Sequence, residues 1–275
     1  MNFGQTAFTI ALVLYFVSAG LYHVPILLKG TRGARPAQLA ALLGWLFQTA
    51  GIVHRSYTLG LAPYVDLRGA VMTVAWVIVL LTLIVEWRRH TATIGVPAMP
   101  VAALTMVMAD TLPLFGKVHP LMPSLYRNPM TAHIGSIVTS FGCFAFAFCL
   151  ALLYMVQERR LKRKLLRTAR PGALSLADIE HLANTFAAFG FSMLTLGLLL
   201  GFLWAASGVW KGNWYMEPIV LATMATWAVY AGYLYIRGVR GSRGRGNMYF
   251  LIIGFSLAVL TLLVVRPILP GQHGS

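Results

Sequence analysis

Eight long stretches of apolar residues constrain the fold of this chain more than any other feature. They run over residues 7–28, 37–57, 69–87, 94–115, 131–157, 184–207, 218–237 and 248–269. Crossing the hydrocarbon core of a bilayer takes about 20 apolar residues in a helix. A segment in lipid must also satisfy its own backbone hydrogen bonds, which excludes isolated strands. We therefore expect an all-α, polytopic membrane helix bundle of about eight transmembrane helices, forming a single integral-membrane domain over residues 1–275.

The composition excludes two other classes of protein. Hydrophobic residues make up 58% of the chain and charged residues 11%. Charged residues make up about a quarter of an ordinary soluble domain, and disordered chains lack so much apolar surface. The first apolar stretch is not expected to be a cleaved signal peptide, because no basic residue precedes it and the first one is Lys29.

The charged residues predict the orientation of the bundle. The formal net charge is +15, from 22 Lys and Arg against 7 Asp and Glu. In a soluble protein such a charge suggests a nucleic-acid partner, whereas in a membrane protein it marks the loops on the inner side. With the N-terminus outside, 16 of the 22 basic residues fall on inner loops, including seven between Arg159 and Arg170. The sequence therefore predicts that both termini lie outside and that no nucleic acid is bound.

Four of the seven histidines fall near the outer face that this orientation predicts. They are His54, His119, His133 and His273. A single histidine in a membrane protein is usually structural, but imidazole is also an axial ligand of haem iron. Haem takes two axial ligands from opposite sides of the porphyrin, so histidines from two distant segments suit it.

The outer loop between the sixth and seventh stretches is rich in aromatic residues. It contains Trp210, Trp214 and Tyr215, and it ends at Glu217-Pro218. Tryptophan and tyrosine are common at membrane interfaces, so one interpretation is an aromatic belt. The other is a flat aromatic platform for a planar hydrophobic ligand. The residue types alone leave both interpretations open.

Two segments of this region, 210–218 (WKGNWYMEP) and 226–234 (TWAVYAGYL), are similar to a known family. They resemble the tryptophan-rich WWD signature of cytochrome c assembly proteins of the CcsA, CcmC and HemX type. The helix that opens at His133 resembles the external histidine helix of that family, and 269–275 (LPGQHGS) resembles its closing segment. The resemblance covers the second half of the chain better than the first.

The resemblance implies a membrane protein that binds haem b and presents it at the outer face during cytochrome c maturation. His133 and His273 would be the two axial ligands of the iron, and the loop from Trp210 to Pro218 would be the platform. The implied partners are haem, apocytochrome c and a membrane partner protein of the assembly system, and the implied location is the bacterial plasma (inner) membrane. The cofactor-binding residues implied are His133, His273, Trp210, Trp214, Tyr215, Glu217 and His54.

This sequence departs from the family pattern at several positions. Met216 stands where the family has the second tryptophan of the core, and Glu217 where it has aspartate. Tyr235 stands where it has a histidine associated with a haem site inside the membrane. His54, at the outer end of the second stretch, could replace that histidine. The departures favour a HemX-like or atypical member over a full CcsA-type subunit.

Two other functions remain open at this stage. One is a HemX-like regulatory or assembly factor without direct haem delivery, and the other is a small-solute transporter. Transporters often contain paired repeats with broken helices, and no repeat is apparent here. We find no activated nucleophile and no paired carboxylates at one depth, so we expect at most one subunit of a haem-attachment complex. Cys143 and Cys149, six residues apart in one stretch, are interpreted as packing residues.

Residue spacing also predicts how two of the helices pack. The sixth stretch carries a stripe of glycines, and the fifth carries a face of polar and small residues. Small residues let helices approach closely in a membrane, so we interpret both faces as packing surfaces rather than as a ligand channel. The two faces are Gly190, Gly197, Gly201 and Gly208, and His133, Ser136, Ser140 and Cys143.

Overall fold

The protein is all-helical throughout the residues that the structure describes. This computed structural model describes residues 3–27, 34–60, 62–64, 66–111, 128–163, 174–206 and 214–260, and no strand occurs among them. The helices are α1 (Phe3–Leu27), α2 (Ala34–Leu59), α3 (Leu67–Arg89), α4 (Gly95–Thr111), α5 (Asn128–Lys162), α6 (Leu176–Trp204), a short 3-10 helix (Trp214–Met216), α7 (Pro218–Arg240) and α8 (Arg245–Leu260). The predicted all-α class is confirmed.

Six of these helices, α1, α2, α3, α5, α6 and α7, are long and apolar enough to cross a membrane. The other two, α4 and α8, are apolar but have 17 and 16 residues within the described part of the chain. The predicted stretches continue beyond both, into residues 112–127 and 261–275, which lie outside the described residues. The architecture is therefore that of a polytopic helical membrane bundle, as expected.

The chain divides into two compact units. The first comprises Met1–His119 and Leu152–Ile179, and the second comprises Pro120–Ala151 and Glu180–Ser275. Each unit is described by itself. The single haem-handling domain expected over residues 1–275 stays a prediction.

In the first unit, α1 and α2 approach closely because a glycine faces a tyrosine. A Cβ added at Gly44 would lie 2.7 Å from Cε1 of Tyr15. The Tyr15 hydroxyl donates to Oε1 of Gln48 at 2.5 Å, and Nε2 of Gln48 donates to the Met72 carbonyl at 2.9 Å. Gln48 is fully buried. Its Nε2 also donates to Sδ of Met106 at 3.1 Å, and these three partners explain how an amide is tolerated in the interior of a membrane bundle.

A buried carboxylate joins the four helices at the other end of the first unit. Glu86 on α3 is 1% exposed. It accepts hydrogen bonds from the Tyr22 hydroxyl at 2.6 Å, from Nε2 of Gln38 at 2.9 Å and from the backbone N–H of Gly95 at 2.9 Å. Three donors compensate for the removal of the carboxylate from water. Through these hydrogen bonds Glu86 holds α1, α2, α3 and α4 together.

In the second unit, the predicted glycine stripe of α6 packs against α5. A Cβ added at Gly190 would lie 2.8 Å from Cδ1 of Phe144, and one at Gly197 would lie 2.7 Å from Cγ1 of Ile137. The interpretation as small-residue packing is confirmed for these positions, while Gly208 lies outside the described residues. Cys143 and Cys149 are buried free thiols on α5, as packing residues should be.

Hydroxyl-bearing residues form the buried face of α7. Its buried residues are Thr223, Thr226, Tyr230 and Tyr233, at helical spacing. The Tyr230 ring stacks on Phe144 with 3.6 Å between ring centroids. This stack holds α7 against α5.

Candidate functional site

His133 occupies a defined position near the start of α5. It is half-buried, and its Nδ1 lies 2.7 Å from the carbonyl oxygen of Gly197 on α6. A carbonyl can only accept a hydrogen bond, so Nδ1 carries the proton and donates it. The hydrogen bond therefore selects the tautomer in which Nε2 has the free lone pair.

The His133 ring lies against the backbone of α6 at Gly201. A Cβ added at Gly201 would lie 2.6 Å from Cε1 and 2.8 Å from Nδ1 of His133. Because glycine has no side chain, the imidazole can occupy this volume. Gly197, one turn earlier, supplies the carbonyl that the ring binds. The two glycines together set both the place and the tautomer of the ring.

The second ring nitrogen of His133 is chemically suited to bind a metal. Among the described residues no hydrogen bond to this Nε2 is found, and only Nδ1 has a partner. Histidines that bind metals commonly donate their other N–H to a carbonyl or carboxylate, which orients the ring and makes the ligating nitrogen more basic. The bond to Gly197 is of this kind.

A free metal ion would need more ligands than the described part of the chain brings together. Within it, no group of three or more His, Cys, Asp or Glu side chains could hold an ion. Haem iron needs only axial ligands from protein, because the porphyrin supplies the other nitrogens. A single well-positioned imidazole therefore suits haem iron better than a free ion.

The predicted aromatic platform is described only in part. Tyr215 lies in the 3-10 helix and is 50% exposed, and the neighbouring Met216 is 63% exposed. The backbone of Trp214 belongs to the same helix, but its side chain lies outside the described residues, as do Trp210 and His273. At the described end of the predicted platform, the phenol ring of Tyr215 and the thioether of Met216 are therefore exposed.

Glu217 and Pro218 start α7 as the sequence suggested. Glu217 is the N-cap residue and Pro218 occupies the first helical turn. Proline is favourable there because its fixed φ suits the helix and its missing N–H would have no partner in that turn. A carboxylate at this position complements the positive end of the helix dipole. The half-buried Glu217 therefore fixes where the loop ends.

The second segment that resembles the family, 226–234, lies on α7 and contacts α6. Nε1 of Trp227 donates to Oγ1 of Thr195 at 2.9 Å, and its ring lies 5.3 Å from that of Phe191. Tyr235, which stands at the family's histidine position, is 60% exposed within the described residues. Position 235 therefore does not belong to the buried face of α7.

His54 belongs to the first unit, whereas His133, Tyr215 and Glu217 belong to the second. His54 lies on α2, and its ring meets the Phe3 ring edge-on at a centroid distance of 5.1 Å. It lines a cavity of about 270 Å³. The fourth histidine of the predicted outer face, His119, lies outside the described residues.

Sequence reasoning found the glycine stripe but missed what two of its members do for His133. Gly197 and Gly201 were interpreted as helix packing residues. The spacing of the stripe places them opposite the N-terminal turns of an antiparallel α5, which is where His133 stands. Aligning the predicted faces of α5 and α6 in this register would have placed both glycines next to His133.

Comparison with known proteins agrees with the resemblance seen in the sequence. The sequence profile of the family described as Cytochrome C assembly protein matches residues 64–273. Protein HemX of Bacillus subtilis is 26% identical over 210 residues, which cover 74% of each chain. The cytochrome c biogenesis protein CcsA of Pyropia yezoensis is 24% identical over 79% of this chain and 78% of its own. The CcsA of Microcystis aeruginosa is 25% identical over 76% of each chain. Because the profile spans most of the sequence, this multi-pass membrane protein belongs to the cytochrome c assembly protein family.

Proposed function

We propose that this protein binds haem during cytochrome c maturation and that His133 is an axial ligand of the iron. One observation carries the proposal, namely the hydrogen bond from Nδ1 of His133 to the carbonyl of Gly197. That bond leaves Nε2 as the nitrogen that can coordinate iron. The similar CcsA proteins of Pyropia yezoensis and Microcystis aeruginosa are cytochrome c biogenesis proteins, and this is the process in which the haem would be used.

The haem is cargo in this proposal, and the chain supplies position and orientation. His133 holds one axial side of the iron through a ring fixed by Gly197 and Gly201. His273 supplies the second imidazole from the C-terminal segment. A ligand pair from two distant segments can open at one side to release the haem, while the rigid His133 keeps its position.

The remaining predicted residues complete the proposed site. Trp210, Trp214 and Tyr215 form the flat apolar surface on which the porphyrin rests at the outer face. Glu217 fixes the end of that surface at the start of α7. His54 is not part of this proposal, because it belongs to the first unit, and its assignment as a ligand stays a prediction.

The proposed cargo is haem b, and the proposed partners are apocytochrome c and a membrane protein of the assembly system. The proposed location is the plasma membrane of a bacterium, with the haem at the outer side. The chain contributes binding and orientation, as at most one subunit of a haem-attachment complex. Similarity to HemX also supports a second candidate function, that of a regulatory or assembly factor that carries no haem. The following experiment distinguishes the two functions.

The test is the absorption spectrum of the full-length protein purified in detergent and titrated with haem. We expect a low-spin spectrum of the kind given by two imidazole ligands. His133→Ala and His273→Ala should each lower haem affinity by at least about tenfold, because even residues that only orient a metal ligand contribute about 10–100-fold.

The matched control is His181→Ala. His181 is exposed on α6 and contacts neither Gly197 nor His133 in the described structure. This variant should bind haem like the unaltered protein. Full haem binding by both His133→Ala and His273→Ala would refute the ligand assignment. A folded protein that binds no haem at all would favour the assembly factor.

A further inference from the structure

A cleft at one end of the first unit shares no lining residue with the proposed haem site. Two cavities of about 270 and 220 Å³ form it, and they share Gln5, Phe8, Arg68 and Met72 as lining residues. The first cavity is closed on one side by His54, and the second by Asp110. We call the two together the His54 cleft.

The His54 cleft lies where the helices of the first unit begin and end. Its lining residues stand in the first turns of α1 and α3 and in the last turns of α2 and α4. Examples are Gln5 near the start at Phe3, and Asp110 next to the end at Thr111. The ends of membrane-spanning helices lie at the level of the lipid head groups. A ligand in the cleft would therefore have its polar part at head-group depth and its apolar part in the hydrocarbon.

The walls of the cleft are apolar on one side and charged on the other. Phe8, Leu12, Met72 and Met106 supply apolar surface, and both methionines are buried. Arg68 lines both cavities. Such a combination suits an amphiphile with an apolar body and a small polar head.

The charges in the cleft indicate which polar head group it can bind. Arg68 forms an ion pair with Asp110, and the two side chains are 36% and 58% exposed. Nearby, Arg55 forms a second ion pair with Asp66 at 2.8 Å. Each cation thus has its own anion, and the cleft has no surplus charge that would attract a purely anionic head. Exposed ion pairs are worth little, so a ligand can exchange the Arg68–Asp110 contact at small cost.

A head that carries both charges can bind both partners of that pair. We propose that the His54 cleft binds a zwitterionic phospholipid whose head group is phosphoethanolamine. The phosphate accepts hydrogen bonds from Arg68, and the ammonium donates to Asp110. The Gln5 amide and the His54 ring offer further hydrogen bonds to the phosphate, and the first carbons of the acyl chains lie against Phe8 and Met72. A quaternary ammonium has no N–H to donate, and a glycerol head has no positive charge.

The experiment uses the full chain, purified in detergent and titrated with equal amounts of phosphatidylethanolamine, phosphatidylcholine and phosphatidylglycerol that carry identical acyl chains. Native mass spectrometry counts each bound lipid. We expect phosphatidylethanolamine to bind about tenfold more tightly than the other two, the size of one charge-assisted hydrogen bond. Asp110→Asn should abolish this preference, and Arg68→Gln should weaken the binding of all three lipids.

Glu158→Gln is the matched control, because it removes the carboxylate of another ion pair, that with Lys162, and neither residue lines the cleft. It should keep the preference. A second variant, Thr9→Tyr, fills the cleft from α1 without removing a charge and should displace all three lipids. Equal binding of the three lipids by the unaltered protein would overturn the proposal. So would a preference that survives Asp110→Asn and Thr9→Tyr, or one that Glu158→Gln removes to the same extent.

Discussion

Two helix pairs of this protein use glycines in the same way and leave different chemistry behind. In the first unit, Gly44 on α2 makes room for Tyr15 on α1, and Gln48 lies between the helices. In the second unit, Gly201 on α6 makes room for His133 on α5. Each pair encloses a polar side chain where two helices approach closely.

The difference lies in how many of the polar atoms are bonded. The oxygen of Gln48 accepts from Tyr15, and its nitrogen donates to the Met72 carbonyl, so both ends of the amide are satisfied. His133 has a hydrogen bond at Nδ1, and none is found at Nε2 within the described residues. A side chain whose polar atoms are all bonded holds helices together, whereas a half-buried imidazole with a free lone pair can still bind a ligand. The comparison separates a structural polar residue from a candidate ligand.

The largest expected effect comes from Gly201→Ala. The added Cβ would lie 2.6 Å from the His133 ring, so the imidazole must move from its present position. Haem affinity should fall by about 10–100-fold, the range found for residues that orient a metal ligand. Spectral titration of the purified variant with haem measures this loss.

Gly190→Ala is the matched control for that variant. Its Cβ would lie 2.8 Å from Phe144, a comparable collision on the same glycine stripe but away from His133. It should lower the free energy of unfolding by about 1–3 kcal/mol, as overpacking does, with haem affinity unchanged. Equal losses of haem affinity in both variants would mean that the stripe acts only through packing.

Gln48→Leu should give the next largest effect, and it should affect stability alone. The substitution leaves the Tyr15 hydroxyl without its acceptor and removes the donor to the Met72 carbonyl and the Met106 sulfur. The free energy of unfolding should fall by about 1–3 kcal/mol, the cost of unsatisfied buried polar groups. Thermal unfolding in detergent measures it. Haem affinity that fell together with stability would contradict the assignment of a purely structural role.

Trp227→Phe should have the smallest effect. It keeps an aromatic ring next to Phe191 and removes only the hydrogen bond from Nε1 to Thr195. One such bond contributes about 1 kcal/mol to the free energy of unfolding. The same thermal assay measures the change, with Trp87→Phe as control because Trp87 is 76% exposed. A loss of haem binding without a loss of stability would instead place Trp227 in the haem site.

Particular residues show how far the sequence could predict this fold and site. The apolar stretches predict the positions of α1, α2, α3, α5, α6 and α7, because the length of an apolar run can be read from consecutive residues. The glycine stripe predicted the packing face of α6, because helical period is local as well. His133 could be named as a candidate ligand from its depth and its family resemblance. The hydrogen bond from its Nδ1 to Gly197 could not be predicted, since the two residues are 64 positions apart.

Three properties can be read from the residues alone: the apolar helices, the faces of those helices that carry small residues, and the family to which the protein belongs. These properties follow from residue type and spacing within single segments. Helix packing was needed to show that both ends of the Gln48 amide are bonded, that Nε2 of His133 has no partner among the described residues and that Tyr235 is exposed. Hydrogen-bond partners and exposure depend on which helices meet and at what register. The bonds of Tyr15 to Gln48 and of His133 to Gly197 join residues 33 and 64 positions apart, so packing had to bring them together.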